Sequence, residues 1–285
     1  MQAFLVDIFQ GPYRGKTAIF ASGRLESGES FGLIDDRLRP AFYIRRSDLE
    51  AVQALNCARE AAFEETEWST LDGEPVIRMS LDHARALRRL NDELRSREIR
   101  TYEGDIDYTV AFRIAHSVKG LVEFEGQSAP SKHVDQLFIN PKIKAAPSPL
   151  AIDLRVLALD IETNADATRL LGLSLVSWSL KGDSSRAREE VFIVGQASPE
   201  DPAGLKTFES EKELLTAFRD HVVALDPDII TGWNVIDFDL AVLSKIAARY
   251  QVPLCLGRTR ETSYLRTSRY YGNSKMIIQG RQVLD

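Results

Sequence analysis

Val156-Leu157-Ala158-Leu159 runs without a polar interruption into Asp160-Ile161-Glu162-Thr163. A short, wholly apolar run of this kind predicts a strand near the centre of a sheet, covered on both faces. Side chains alternate along a strand, so Asp160 and Glu162 project from the same face, two residues apart. Two carboxylates held together at the end of a buried strand repel each other, and a divalent cation is the common remedy. The acid-x-acid pattern alone is not enough: about six such pairs arise by chance at this acidic content. Glu209/Glu211, Asp226/Asp228 and Asp237/Asp239 are read as that background. Asp160/Glu162 differs because it ends a continuous apolar run, although position alone leaves both a metal site and a structural pair open.

The neighbouring sequence predicts the rest of a mixed α/β sheet. Strands are expected over Leu154 to Ile161, Leu171 to Leu180 and Val191 to Val194. Ser210-Glu211-Lys212-Glu213 has the form of a capping box, opening a helix through Leu214, Phe218 and Val222. Asp228 to Trp233 reads as a further strand, ending in Gly232-Trp233-Asn234. A helix then opens at Asp237 or a near neighbour and continues through Val242, Leu243, Ile246 and Tyr250. Asp239 falls in or near its first turn, where the helix dipole favours an anion. Asn234 suits the turn or a reach to substrate; Phe238 suits the core or the stacking of a base.

The first 150 residues have a different rhythm. Phe4 to Phe9, Thr17 to Phe20 and Phe31 to Ile34 read as short, barrel-like strands between Gly-Pro and Gly-rich turns. From about 40 to 103 the order becomes βαββαβ, that of a ferredoxin-like module, with Ser47 and Asp82 as candidate helix caps. Its second helix carries Arg85, Arg88, Arg89, Arg95 and Arg97, a surface for phosphate or a solvated face. Residues 126–150 are small, polar and proline-punctuated, which predicts a linker and a domain boundary dividing 1–150 from 151–285. A core of 44% hydrophobic residues in a 285-residue chain agrees with two domains. Net charge is −6, concentrated in the acidic stretch 151–250, whereas 251–285 holds six basic and two acidic residues. The acidic stretch suits a metal site and the basic one suits phosphate contact.

Taken in order, these motifs resemble the family-B DNA polymerases. Asp160-Ile161-Glu162-Thr163 is similar to the family's first exonuclease motif, and Asn234-x-x-x-Phe238-Asp239 to its second. Arg39-Pro40-Ala41-Phe42-Tyr43-Ile44, Tyr102-Glu103-Gly104-Asp105-Ile106 and Lys119-Gly120-Leu121 resemble its N-terminal domain. Leu256-Gly257-Arg258 and Gly280-Arg281-Gln282-Val283-Leu284-Asp285 resemble stretches after the second motif. The bacterial polymerase II and archaeal replicative branches look alike in this respect.

The resemblance implies an N-terminal domain followed by a ribonuclease H-like 3′→5′ exonuclease domain that proofreads single-stranded DNA ends. It implies two Mg2+ ions, replaceable by Mn2+, with Asp160 bridging both, Glu162 holding one and placing the water, and Asp239 holding the other. Thr163 and Phe238 would seat the terminal nucleotide and Asn234 would support the turn or the strand. Primer–template DNA, and a sliding clamp reached through regions outside this chain, are the implied partners. Archaeal members also detect uracil in a pocket near the equivalent of Pro40-Ala41-Phe42-Tyr43. The family's third exonuclease motif, Y-x-x-x-D, is absent: none of Tyr264, Tyr270 and Tyr271 has an aspartate four residues on. The chain is therefore expected to be a piece of a longer polymerase, weak or inactive as a nuclease by itself.

Other classes are disfavoured. No stretch approaches the length of a membrane span, and the N-terminus has no signal-peptide pattern. Cys57 and Cys255 stand far apart with no metal-ligand spacing, which suits a reduced, cytoplasmic setting. No Gly-rich phosphate loop comes after the Val156 strand, which argues against a nucleotide enzyme on a doubly wound sheet. A stand-alone 3′→5′ exonuclease of DNA or RNA, and a catalytically silent DNA-binding module, remain as alternatives.

Overall fold

Antiparallel pairing organises the first residues. In the computed structural model, which describes residues 1–146, 152–182, 187–267 and 274–285, β1 (Gln2–Tyr13) pairs with β2 (Lys16–Leu25), and β2 with β3 (Ser30–Asp35). These strands are longer than alternation predicts. Gly11-Pro12 continues β1 up to a turn at Arg14-Gly15, both at positive φ. Proline is tolerated there because β1 meets its second neighbour only at Gln2–Phe4, so Pro12 lies on a sheet edge that needs no donor.

The βαββαβ expectation is met by β4 (Ala41–Arg45), α1 (Leu49–Gln53), β5 (Ala62–Ser69), β6 (Pro75–Ser80), α2 (Ala84–Ser96) and β7 (Thr101–Tyr102). The sheet order is β5-β6-β4-β7. Phe42, Ile44, Ile77 and Met79 pack beneath Leu87, Leu90 and Leu94 of α2. The caps differ from expectation. A 3-10 turn at Arg46–Asp48 leads into α1, without a side-chain cap from Ser47. Asp82 pairs with Arg39 at 3.0 Å instead of capping α2. The free N–H of Ala84 donates to Thr17 Oγ1 of β2 at 3.1 Å, so this cap is supplied from another sheet.

Next come α3 (Tyr108–Ala115), β8 (Leu121–Glu125), β9 (Ser128–Ala129), β10 (Gln136–Ile139) and β11 (Lys142–Ala145). The linker expected over 126–150 is thus corrected as far as Ala145. Three of its segments are strands of a seven-stranded sheet ordered β11-β8-β1-β2-β3-β10-β9. What orders them is partnership: β10 runs parallel to β3, and Asp135 accepts hydrogen bonds from Ser30 N and Oγ at 2.7 and 2.8 Å. Pro147-Ser148-Pro149 and the boundary drawn at 150 lie outside the described residues.

The remaining chain forms the expected mixed sheet. Its elements are β12 (Arg155–Thr163), β13 (Leu170–Ser179), β14 (Arg188–Val194), β15 (Leu205–Phe208), α4 (Glu211–Leu225) and β16 (Ile229–Thr231). After a π-helical turn at Val235–Leu240 come α5 (Ala241–Arg249), β17 (Tyr264–Arg266), β18 (Lys275–Ile277) and β19 (Gln282–Leu284). The order is β15-β14-β13-β12-β16-β19, antiparallel through β12, β13 and β14, and parallel from β12 to β16 and β19. The capping box is present: Ser210 Oγ accepts from Glu213 N at 3.3 Å, and the Glu213 carboxylate returns to Glu209 N at 3.1 Å. Leu157, Leu159 and Ile161 of β12 share one core with Phe218 of α4 and Leu243 of α5.

Candidate active site

Strand β12 is covered where its sequence is apolar and opens where the carboxylates begin. Leu157, Leu159 and Ile161 point into the core, whereas Asp160 and Glu162, on the other face, are exposed. Their cross-strand partners on β13 are Ser174 and Gly172. Small neighbours leave the space above both carboxylates free, and a Cβ on Gly172 would lie 2.9 Å from Phe192 O. The predicted alternation of Asp160 and Glu162 holds because the pairing stays regular until an irregularity between Glu162 and Thr163. Thr163 closes the strand and is half-buried.

The second motif reaches this point through a forced turn. Gly232 comes off β16 so closely against β12 that a Cβ there would sit 2.4 Å from Leu159 O. Asn234 then takes a left-handed conformation at φ 54, ψ 29, which asparagine tolerates. The π-helical turn carries Asp239 back onto β12. Asp239 is 1% exposed, and its Oδ1 accepts from Ile161 N at 2.9 Å, between Asp160 and Glu162 in the chain. The β12–β16 ladder ends at Ala158/Thr231, so this carboxylate supplies the partner that Ile161 N–H would otherwise lack.

Burial raises the Asp239 carboxyl to about 6; the charges of Asp160 and Asp285 add to the rise, while hydrogen bonds from Ile161 N–H and its own N–H oppose it. As expected, Asp239 lies near the start of this helical segment, in the π-helical turn that runs into α5; its backbone donors favour the anion, but desolvation outweighs them. Excess negative charge on oxygen donors fits a hard divalent cation, which would relieve it. Among the described residues, however, no three His, Cys, Asp or Glu side chains converge as a ready-made metal cluster. Asp239 is tied to β12 through Ile161 N, and it feels the charges of Asp160 and Asp285, while Glu162 lies on the Asp160 face of the strand.

Phe238 is 39% exposed and Asn234 is exposed, so Phe238 is not the core residue that one reading allowed. Two residues without a role in the sequence reading also lie here. Trp233, 92% exposed, stands next to Gly232 at the β12 edge. Asp285 comes directly after β19, and its Oδ1 accepts from Ile236 N at 3.4 Å. An aromatic between Gly and Asn was the available signal for Trp233. Asp285 needed the knowledge that β19 lies beside β16.

The model of the DNA polymerase family B exonuclease domain matches residues 99–285. DNA polymerase II of Escherichia coli K12 is 27% identical over 188 residues, covering 65% of this chain and 22% of that protein. The DNA polymerase delta catalytic subunit of Glycine max is 32% identical over 120 residues, covering 38% of this chain and 11% of that protein. A family B DNA polymerase from the hyperthermophilic archaeon Pyrobaculum calidifontis superposes with a TM-score of 0.78 at 24% identity, over all of this chain and 36% of that one. The chain thus spans a minor part of the length of each of these proteins.

Proposed function

The chain belongs to DNA polymerase family B, matched through its exonuclease domain, and on that premise we propose that it provides the 3′→5′ proofreading site of a DNA polymerase. The substrate in this reading is the single-stranded 3′ end of DNA, and the reaction is hydrolysis of its last phosphodiester. The observation that carries the reading is the hydrogen bond from Ile161 N to Asp239, which joins the second motif to the first.

Asp160, Glu162 and Asp239 are the residues that would hold two Mg2+ ions, or Mn2+ in their stead. Bound there, such ions would supply charge relief on the scissile phosphate and a water of lowered pKa. Glu162 is exposed on the Asp160 face, where its carboxylate can orient the attacking water and accept its proton. Thr163 Oγ1 and the Asn234 amide are within the same strand-end region and would position the terminal nucleotide. Phe238 and Trp233 present aromatic faces on which unpaired bases stack.

A second contact with DNA has its own support. Ala41 and Phe42 of β4 line a cavity of about 620 Å³ together with Arg85, Arg88 and Arg95 of α2 and Tyr108 of α3. Guanidinium groups over an apolar floor suit a template strand. Tighter binding of uracil-containing strands than of thymine controls would extend this to uracil detection, and equal affinity would remove it. Primer–template DNA is the wider partner in this reading, with a sliding clamp acting outside these residues. We also assign the division between the two parts of the chain to the stretch after Ala146. No helix among the described residues is long and apolar enough to cross a membrane.

Calorimetric titration of Mn2+ into the chain and into Asp160→Ala tests the site. Binding by the unmodified chain that disappears in the variant is the expected result. Equal binding by both would overturn the assignment.

A further inference from the structure

The three parallel strands that lead to the carboxylates all start at one buried ionic knot, and one of its members comes from the N-terminal seven-stranded sheet. Asp228, immediately before β16, is 0% exposed, and Arg24 of β2 is 1% exposed. Arg24 Nε donates to Asp228 Oδ2 at 3.0 Å and Arg24 Nη2 to Asp228 Oδ1 at 3.0 Å, a two-pronged contact across 204 residues of chain. Arg24 Nη2 also donates to Asp226 O at 2.7 Å. Arg258 Nη2 donates to Asp228 Oδ1 at 2.7 Å, and Arg258 and Arg281 both pair with the Asp226 carboxylate at 2.8 Å.

Asp228 also ties the strand starts together. Its Oδ2 accepts from Arg155 N at 2.9 Å, and its own N–H donates to Arg155 O at 2.8 Å. Its carbonyl accepts from Gln282 N at 2.9 Å. Arg155 begins β12 and Gln282 begins β19, so the first residues of β12, β16 and β19 meet at this one aspartate. Val156, Ile229 and Gln282 then stand in register. From Arg155 the strand travels five residues, about 16 Å, to Asp160. A slip of one residue anywhere along it would turn Asp160 and Glu162 to the opposite face.

An arginine fork fixes direction as well as distance, because two parallel N–H bonds hold a carboxylate in one plane. Docking two sheets would need only apolar contact. A planar clamp on the residue that aligns three strands does more. We propose that Arg24 is a positioning residue for the carboxylate site: by clamping Asp228 it sets the alignment of β12, β16 and β19, and so makes the seven-stranded sheet part of the exonuclease apparatus. The proposal rests on the reading of Asp160, Glu162 and Asp239 as the hydrolytic site.

The test is amide hydrogen exchange at Ile161, whose N–H reports the closure of Asp239 onto β12, in the unmodified chain, Arg24→Ala, Arg24→Lys and Phe31→Leu. Arg24→Lys keeps the charge and loses the fork, so it remains informative where Arg24→Ala does not fold. Phe31→Leu loosens the core of the same sheet beside Gly23 and leaves every side-chain partner of the Arg24 guanidinium in place. The expected result is exchange at Ile161 at least ~10-fold faster in Arg24→Lys, with Phe31→Leu unchanged there. Wild-type protection in folded Arg24→Lys, or equal loss in Phe31→Leu, would overturn the proposal. Mn2+ titration of the same four proteins separates the two readings. Affinity should fall only in the Arg24 variants, whereas an unmodified chain that binds no Mn2+ would remove the hydrolytic reading and leave the strand alignment to be judged by Ile161.

Discussion

Trp233 is the residue where exposure and rigidity conflict most sharply. A large aromatic 92% open to water gains nothing from burial, yet its backbone is fixed between Gly232 pressed on Leu159 O and Asn234 in the left-handed region. Stacking on an unpaired base is worth about 1–3 kcal/mol, so Trp233→Ala should weaken single-stranded DNA binding by about one to two orders of magnitude. Because the side chain covers no core, the melting temperature should stay put. Fluorescence anisotropy with a labelled single strand, beside a thermal melt, checks both halves; unchanged affinity would remove Trp233 from the binding surface. The placement of the carboxylates was easier to read than that of this aromatic. That Asp160 and Glu162 share a face at the end of an apolar strand was a signal contained in eight consecutive residues. For Phe238 and Trp233 the residue type fits a core and a surface equally, and only the turn after β16 decides which. Asp239 was placed correctly in the chain but its environment was not, since burial against β12 depends on a π-helical turn that no local pattern specifies.

Strand β16 is three residues long, and its placement depends on the turn at its C-terminal end. Gly232 lets β16 turn away from β12 at van der Waals contact, and an added Cβ would meet the Leu159 carbonyl at 2.4 Å. Backbone cannot yield as a side-chain tip can, so Gly232→Ala should destabilise the protein by about 1–3 kcal/mol. The same displacement should open the Ile161–Asp239 bond. Urea denaturation gives the first quantity and Ile161 exchange the second; a variant as stable as its parent would show that the two strands have room to part. The elements legible from sequence were those that carry their own signal: the alternation of β4 to β6, the capping box of α4, the apolar run of β12. Strands β9 to β11 were hidden by the proline-rich segments around them, although Leu137-Phe138-Ile139 of β10 is apolar. Strands β10 and β11 acquire order from β3 and β8, which lie elsewhere in the chain, and β9 from β10. The cap of α2 is hidden for the same reason, because Thr17 belongs to a different sheet.

At the scale of the whole molecule, two aspartates make stability depend on pH in opposite directions. Burial raises Asp239 to about 6. The unfolded chain loses that proton near 3.8 while the folded chain keeps it, so folding is favoured at low pH and this contribution is lost as pH rises from about 4 to 6. Asp226 behaves in reverse: burial pushes it up, but Arg258, Arg281 and Arg24 outweigh burial and hold it at about 2. Its contribution is present above pH 4 and lost as pH falls toward 2. Each window is worth on the order of 2–3 kcal/mol, so the Asp239 contribution should fade as pH rises above 4 and the Asp226 contribution as pH falls below it. The two arms have different owners and can be separated. Asp239→Asn should remove the Asp239 share of the pH dependence from 4 to 6 and leave the acid arm intact. Mn2+ should raise stability toward neutral pH, where the carboxylate it needs is free, and have little effect at pH 4. Arg24→Lys, which weakens the hold on Asp226, should reduce the acid arm, and by loosening the closure of Asp239 on β12 it should reduce the neutral arm as well. Denaturation midpoints from pH 2.5 to 7, with and without Mn2+, measure all three. A neutral arm that persists in Asp239→Asn would locate the titrating group elsewhere and remove the argument that negative charge at this site awaits a cation.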